Sequence, residues 1–170
     1  MNPITTIKRE ITIQLPKENV WALLADFGNV CHGHPKVSKS FITSSNTQGL
    51  GATRHCDFTM MGASAEEKIV AWNEGNSMKI EVYELKKMPG IKELSLDLSI
   101  KESGKDTILR GELNYSMKNA FFDFMNNLMM KKMNAELIDG IMAGHKKYFE
   151  TGEIVTEKTK LELNKVVKIS

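Results

Sequence analysis

Arg54, Glu67 and Tyr115 are the polar residues whose spacing sets them among apolar neighbours, where an ionisable or hydroxyl group can do chemistry. In an extended segment Arg54 shares a face with Cys56, Phe58 and Met60, the more apolar face and hence the one expected inside. An inward arginine is costly there unless it pairs with a carboxylate or receives a ligand's anionic or carbonyl group. By the same parity Glu67 lies with Ile69 and Ala71, while Glu66, Lys68 and Val70 point the other way. A buried glutamate has a raised pKa and can serve as a general acid or base; equally, it can be the structural partner of Arg54 one strand away. Tyr115 falls on one face with Leu109, Gly111 and Leu113. It either donates a hydrogen bond to a ligand carbonyl or sits in the core with its hydroxyl at the rim.

Cys31, His32 and His34 form a second cluster. Zinc needs three or four ligands converging on one point, and Cys-His-x-His within one turn offers crowded candidates without a distal partner. His55 and His145 lie far along the chain, and parity points His55 away from Arg54. We therefore expect a polar loop here, with no metal site and no cofactor. Neither Cys31 nor Cys56 has a base placed beside it by spacing, so nucleophilic catalysis finds no support.

These residues need elements to hold them. Residues 4–15 alternate apolar and polar, with Ile7, Arg9, Ile11 and Ile13 on one side, and Pro16 stops that strand. Val20, Leu23, Leu24 and Phe27 recur at helical spacing over 18–27, and a second short helix or turn covers 29–34 before Pro35. Strands follow at 37–43, at 52–61 and 63–73 around Gly62, at 78–85 after Glu74-Gly75-Asn76, at 93–101, and at 107–117. The connections are too short for parallel crossovers, so the pattern predicts an α+β chain with a meandering antiparallel sheet of about seven strands.

One long amphipathic helix is expected from about Met117 to Glu150, carrying six of the eleven methionines. Leu128, Met130, Met133, Leu137, Ile138, Ile141 and Met142 recur on one face; Lys132, Glu136, Asp139, Lys146 and Glu150 occupy the other. At 1.5 Å per residue it is about 50 Å long and must lie across a large apolar surface. Methionine suits irregular or exchangeable contents on such a surface.

The chain has 170 residues, 41% of them hydrophobic and 26% charged, as expected of one globular domain. A formal charge of +2 and the absence of a basic patch interleaved with aromatics argue against nucleic acid. Two cysteines are too few for a disulfide framework, no segment is apolar enough for a signal peptide or a membrane span, and a soluble cytoplasmic protein is expected. Residues 154–170 read as a charged extension to a domain of 1–153: a frayed end, an added strand or a dimer contact. The chain is expected to be a monomer or a homodimer.

In their order, several segments resemble the helix-grip superfamily of START lipid-transfer domains, pollen-allergen-like proteins, plant abscisic-acid receptors and polyketide cyclases/dehydrases. Residues 20–29 (VWALLADFGN) are similar to its first helix, and the likeness continues through Pro35, Val37 and Ser40. Gly49-Leu50-Gly51-Ala52-Thr53-Arg54 resembles its Gly-x-Gly-x-x-Arg strand entry. Gly62 followed by residues 67–73 (EKIVAWN) resembles its Glu-x-Leu strand, and residues 148–153 (YFETGE) its helix exit. The likeness is greatest to the small polyketide cyclase/dehydrase-like proteins. It implies a curved sheet wrapped around the long helix, with two short helices after the first strand and a cavity between. The sheet would line that cavity with Cys56, Phe58, Met60, Ile69, Val82, Leu96 and Leu113, and the helix with Met133, Leu137 and Ile141. Arg54, Glu67 and Tyr115 would be its polar contacts. An acid at Glu67 can face such a cavity, since abscisic-acid receptors hold their ligand with polar residues and water. Where relatives carry an aromatic before the proline, this chain has Cys31-His32-Gly33-His34-Pro35, so His32 and His34 are expected at the entrance. The implied function is binding of a small hydrophobic or lipid-like molecule. The alternative is a polyketide cyclase/aromatase- or dehydratase-type enzyme in which Arg54, Glu67 or Tyr115 moves a proton α to a carbonyl.

Overall fold

The computed structural model describes residues 3–170. Strand β1 (Ile4–Ile13) is followed by helix α1 (Lys17–Ala25) and a 3₁₀ segment (Phe27–His32). The strands β2 (Val37–Ile42), β3 (Thr53–Phe58), β4 (Ser64–Asn73), β5 (Ser77–Lys86), β6 (Ile91–Ser103) and β7 (Asp106–Met117) come next. The long helix then runs without a break as α2 (Ala120–Met125), a π-helical turn (Asn126–Met130) and α3 (Lys131–Thr151), and a last short strand, β8 (Val167–Ile169), lies in the tail. All pairings are antiparallel, in the order β2-β3-β4-β5-β6-β7-β1-β8. This is the expected α+β helix-grip architecture: a curved sheet, two short helical segments and one long C-terminal helix packed on the inner face.

The alternation of β1 explains its packing. Ile7, Ile11 and Ile13 are buried in the core with Leu109, Leu113 and Ile138. Arg9 shares their face and is buried too; its guanidinium pairs with Asp139 of α3 and also donates to the Lys8 carbonyl at 2.9 Å. A charge taken from water in this way needs such a partner. The helix therefore meets β1 through a buried ion pair as well as through apolar packing.

Three local expectations are corrected. Strand β7 continues through Met117, and the helix starts only at Ala120, because the Asn119 side chain accepts a hydrogen bond from the Phe122 amide (3.1 Å) and caps the first turn. The helix is also not uniform, for five residues adopt π geometry and turn Asn126 into the protein. In β4 the pairing with β5 slips between Glu66 and Glu67 and again between Ile69 and Ala71. The second bulge puts Ala71 on the exposed side and sets Trp72 opposite Met78, against Trp21 (ring centroids 4.9 Å apart). Of the alternatives for the tail, the added strand is the one that forms: β8 pairs with Lys8, Arg9 and Glu10 of β1. Val155 is buried, and its amide donates to the His32 carbonyl at 2.8 Å, so the extension is held at both ends.

Candidate functional site

A pocket of about 110 Å³ lies between the inner face of the sheet and α3. Alternate residues of β5 (Met78, Ile80, Val82) and β6 (Leu94, Leu96, Leu98) form its apolar wall, as the period of two requires. Leu113 of β7 continues that wall, while Leu137 and Ile141, one helical turn apart, face it from α3. Leu23 and Leu24 of α1, with Phe27 and Val30 of the 3₁₀ segment, close one end, and Met88 of the β5–β6 hairpin lines it as well.

The polar part of the wall is a buried network. Arg54 and Glu67 are direct cross-strand partners on β3 and β4. The Arg54 guanidinium donates to Glu67 Oε2 through Nε (2.6 Å) and Nη2 (2.5 Å), and through Nη1 to the Phe27 carbonyl at 2.8 Å. Its Cζ stands 4.0 Å from the centroid of the Phe27 ring. A carboxylate, a carbonyl and a ring face thus partner this cation, which is how a buried charge is tolerated. The Cys56 thiol lies 3.9 Å from the same Glu67 oxygen. Burial first, and the Glu67 charge second, push that thiol far above its ordinary value, so it stays a protonated, unreactive group.

Two histidines complete the polar end. His34 and His145 both line the pocket beside Arg54. Burial holds the His34 imidazole down at about 3, with the nearby His145 and Arg54 acting in the same direction. Burial likewise lowers His145 to about 4, against the opposing pull of its hydrogen bond to the Ile141 carbonyl. Both rings are neutral at physiological pH, and the Arg54–Glu67 pair cancels internally. The end of the pocket formed by the two histidines and the Arg54–Glu67 pair thus carries no net charge, while Asp26 lines the pocket as a separate carboxylate that accepts from Asn29 Nδ2 at 2.9 Å.

Of the residues expected to contact a ligand, Arg54, Phe58, Glu67, Val82, Leu96, Leu113, Leu137 and Ile141 lie together on this wall. Five lie elsewhere. Cys56 and Ile69 are packed behind the lining surface and almost wholly buried. Met60 follows the end of β3, in the turn to Gly62, and is 54% exposed. Met133 is 58% exposed, although it stands one turn before Leu137 on the same α3. Tyr115 is buried, but its hydroxyl donates to Asn126 Oδ1 at 2.8 Å, outside the pocket. His34, expected at the entrance, lines the interior; His32 faces a separate surface hollow with Val155 and has Nδ1 3.2 Å from the Tyr148 hydroxyl.

Sequence reasoning missed His145, Tyr148 and Phe149, which come from the last turns of α3. A signal for them existed in Gly140-x-x-x-Gly144-His145, since paired glycines on a helix mark a close approach of backbone. A Cβ on Gly140 would meet Pro35 at 3.4 Å, and one on Gly144 would stand 2.3 Å from the Gly33 carbonyl oxygen. The His34-Pro35 loop is seated on that stripe, which brings His34 to His145.

Among the described residues no helix is long and apolar enough to cross a membrane. Comparison with solved structures finds the same fold in TTHA0849 from Thermus thermophilus, with a TM-score of 0.71 at 16% identity over 85% of this chain and 97% of that one. Major latex-like protein 151 from Panax ginseng gives a TM-score of 0.69 at 12% identity, over 86% of this chain and 97% of its own. No curated protein matches the sequence. A family model described as polyketide cyclase/dehydrase and lipid transport matches residues 5–150, and with the sheet, the helix and the order of elements all in agreement, the chain belongs to that family.

Proposed function

We propose that this protein binds a small hydrophobic or lipid-like molecule in the pocket between the sheet and α3. The observation that carries this reading is the composition of the wall: aliphatic side chains from β5, β6, β7 and α3 predominate, with a few polar groups among them, the Arg54–Glu67 pair and the two histidines foremost. Such a wall favours an apolar body by burial and orients it with a few hydrogen bonds. The volume of about 110 Å³ suits a compact ligand of one ring, and a longer chain would need α3 to move outward. The Arg54–Glu67 pair supports binding over proton transfer, since the guanidinium and the carboxylate are already each other's partners.

Native mass spectrometry of the purified protein, before and after extraction with organic solvent, tests the reading together with a filled-pocket variant. Leu96→Trp is expected to abolish both the retained molecule and the binding of an added apolar fluorophore. Unchanged fluorophore binding in a folded Leu96→Trp variant would overturn it.

A further inference from the structure

The two histidines at the polar end have their tautomers set by the backbone, and in opposite senses. The Lys36 amide donates to His34 Nδ1 at 3.1 Å. An amide N–H only donates, so Nδ1 carries the lone pair and Nε2 carries the proton. His145 Nδ1 lies 2.8 Å from the Ile141 carbonyl oxygen. A carbonyl only accepts, so here Nδ1 is protonated and Nε2 is the acceptor. Of two rings that line one pocket, the first therefore has an N–H donor at its free nitrogen and the second a lone pair. Both rings line the same end, held there by the contact of Gly33 with Gly144 and His145.

From this pairing we infer that the ligand is an alcohol or phenol whose hydroxyl accepts from His34 Nε2–H and donates to His145 Nε2. The inference rests on the pocket being a ligand site. A hydroxyl is the small group that satisfies one donor and one acceptor at once. A ketone would leave the His145 acceptor unpaired, and a carboxylate would set its charge against that lone pair. An acid would have to compete for Arg54, whose guanidinium already pairs with the Glu67 carboxylate and donates to the Phe27 carbonyl. The depressed histidine pKa values agree with two neutral rings working as a donor–acceptor pair.

The test is a matched series of one-ring probes titrated into the full chain by isothermal calorimetry at pH 7: toluene, p-cresol and p-toluate. We expect p-cresol to bind at least about tenfold more tightly than toluene, the effect of two net hydrogen bonds, and p-toluate to bind more weakly than p-cresol. His34→Phe and His145→Phe should each remove most of the p-cresol advantage while leaving toluene binding within about threefold. If none of the three probes binds, the ligand-site reading fails and this inference with it. If toluene binds and p-cresol binds no more tightly, or p-toluate binds more tightly than p-cresol, the hydroxyl assignment alone falls. A p-cresol advantage that survives in both folded variants also overturns it, and should either variant not fold, the probe series on the unsubstituted chain decides.

Discussion

Gly144 of α3 lies so close to Gly33 that a Cβ at position 144 would stand 2.3 Å from the Gly33 carbonyl oxygen and 3.2 Å from Pro35 Cδ. That backbone contact brings the loop after the 3₁₀ segment down on the helix and places His34 next to His145. Gly144→Ala must push the loop outward, since backbone cannot yield as a flexible side chain does. We expect a loss of about 1–3 kcal/mol in urea unfolding, the cost of overpacking a well-filled contact. Gly140→Ala, whose Cβ would meet Pro35 at 3.4 Å, should cost far less.

Arg54 and Glu67 are expected to behave as a unit. Glu67→Leu alone leaves a buried guanidinium without its carboxylate and should destabilise by about 3–5 kcal/mol. Arg54→Met together with Glu67→Leu should recover most of that loss, because no uncompensated charge remains. A double-mutant cycle by chemical denaturation checks the coupling.

Tyr115 separates a core role from a ligand role. Its hydroxyl donates to Asn126 Oδ1, and Asn126 Nδ2 donates to Thr5 Oγ1 at 3.2 Å. Tyr115→Phe should cost about 1–3 kcal/mol by leaving a buried acceptor unpaired. Binding of p-cresol by that variant should stay within about threefold of the unsubstituted chain if the hydroxyl takes no part in the site.

Glu74 accepts from two indoles, Trp21 Nε1 at 2.8 Å and Trp72 Nε1 at 2.7 Å, and so joins α1 to the β4–β5 hairpin. Glu74→Ala should destabilise by about 2 kcal/mol. It should also shift tryptophan emission, as both indole N–H groups lose their carboxylate partner.

The response to acid follows from the histidines. His34 and His145 have folded pKa values of about 3 and about 4, below the ordinary 6.5, so the unfolded chain binds more protons across that interval. Their contribution is complete above pH 6.5 and is lost as the pH falls from there toward about 3. His55 acts oppositely: hydrogen bonds to Glu66 and to Asp57 raise its pKa, so its contribution is present below pH 6.5 and fades as the pH rises through the folded value. The melting temperature should therefore drop steeply between pH 6.5 and 4.5 and decline gently on the alkaline side. In His145→Phe the acid slope should fall to about half.

Much of the scaffold was readable because period and punctuation are local. Alternation in β1 and β7 assigned the inner residues correctly, and Pro16, Gly62 and Gly75 divided the elements. Parity set both Arg54 and Glu67 inward and offered their pairing as one of two readings, and the register of β3 on β4 makes them direct partners. Parity failed where the register slips: the bulge after Ile69 sent Ala71 outward, and no local residue pattern announces that slip.

The sequence by itself therefore determined the strands, the helix, the antiparallel meander and the inward charges, all of which follow from spacing between near neighbours. Only the tertiary structure decided the site. Met133 is left at the surface of α3, the end of β3 leaves Met60 outside, and the Gly33–Gly144 contact carries His34 to His145 across about a hundred residues of chain. Proximity between distant segments arises from packing, and packing depends on every element at once.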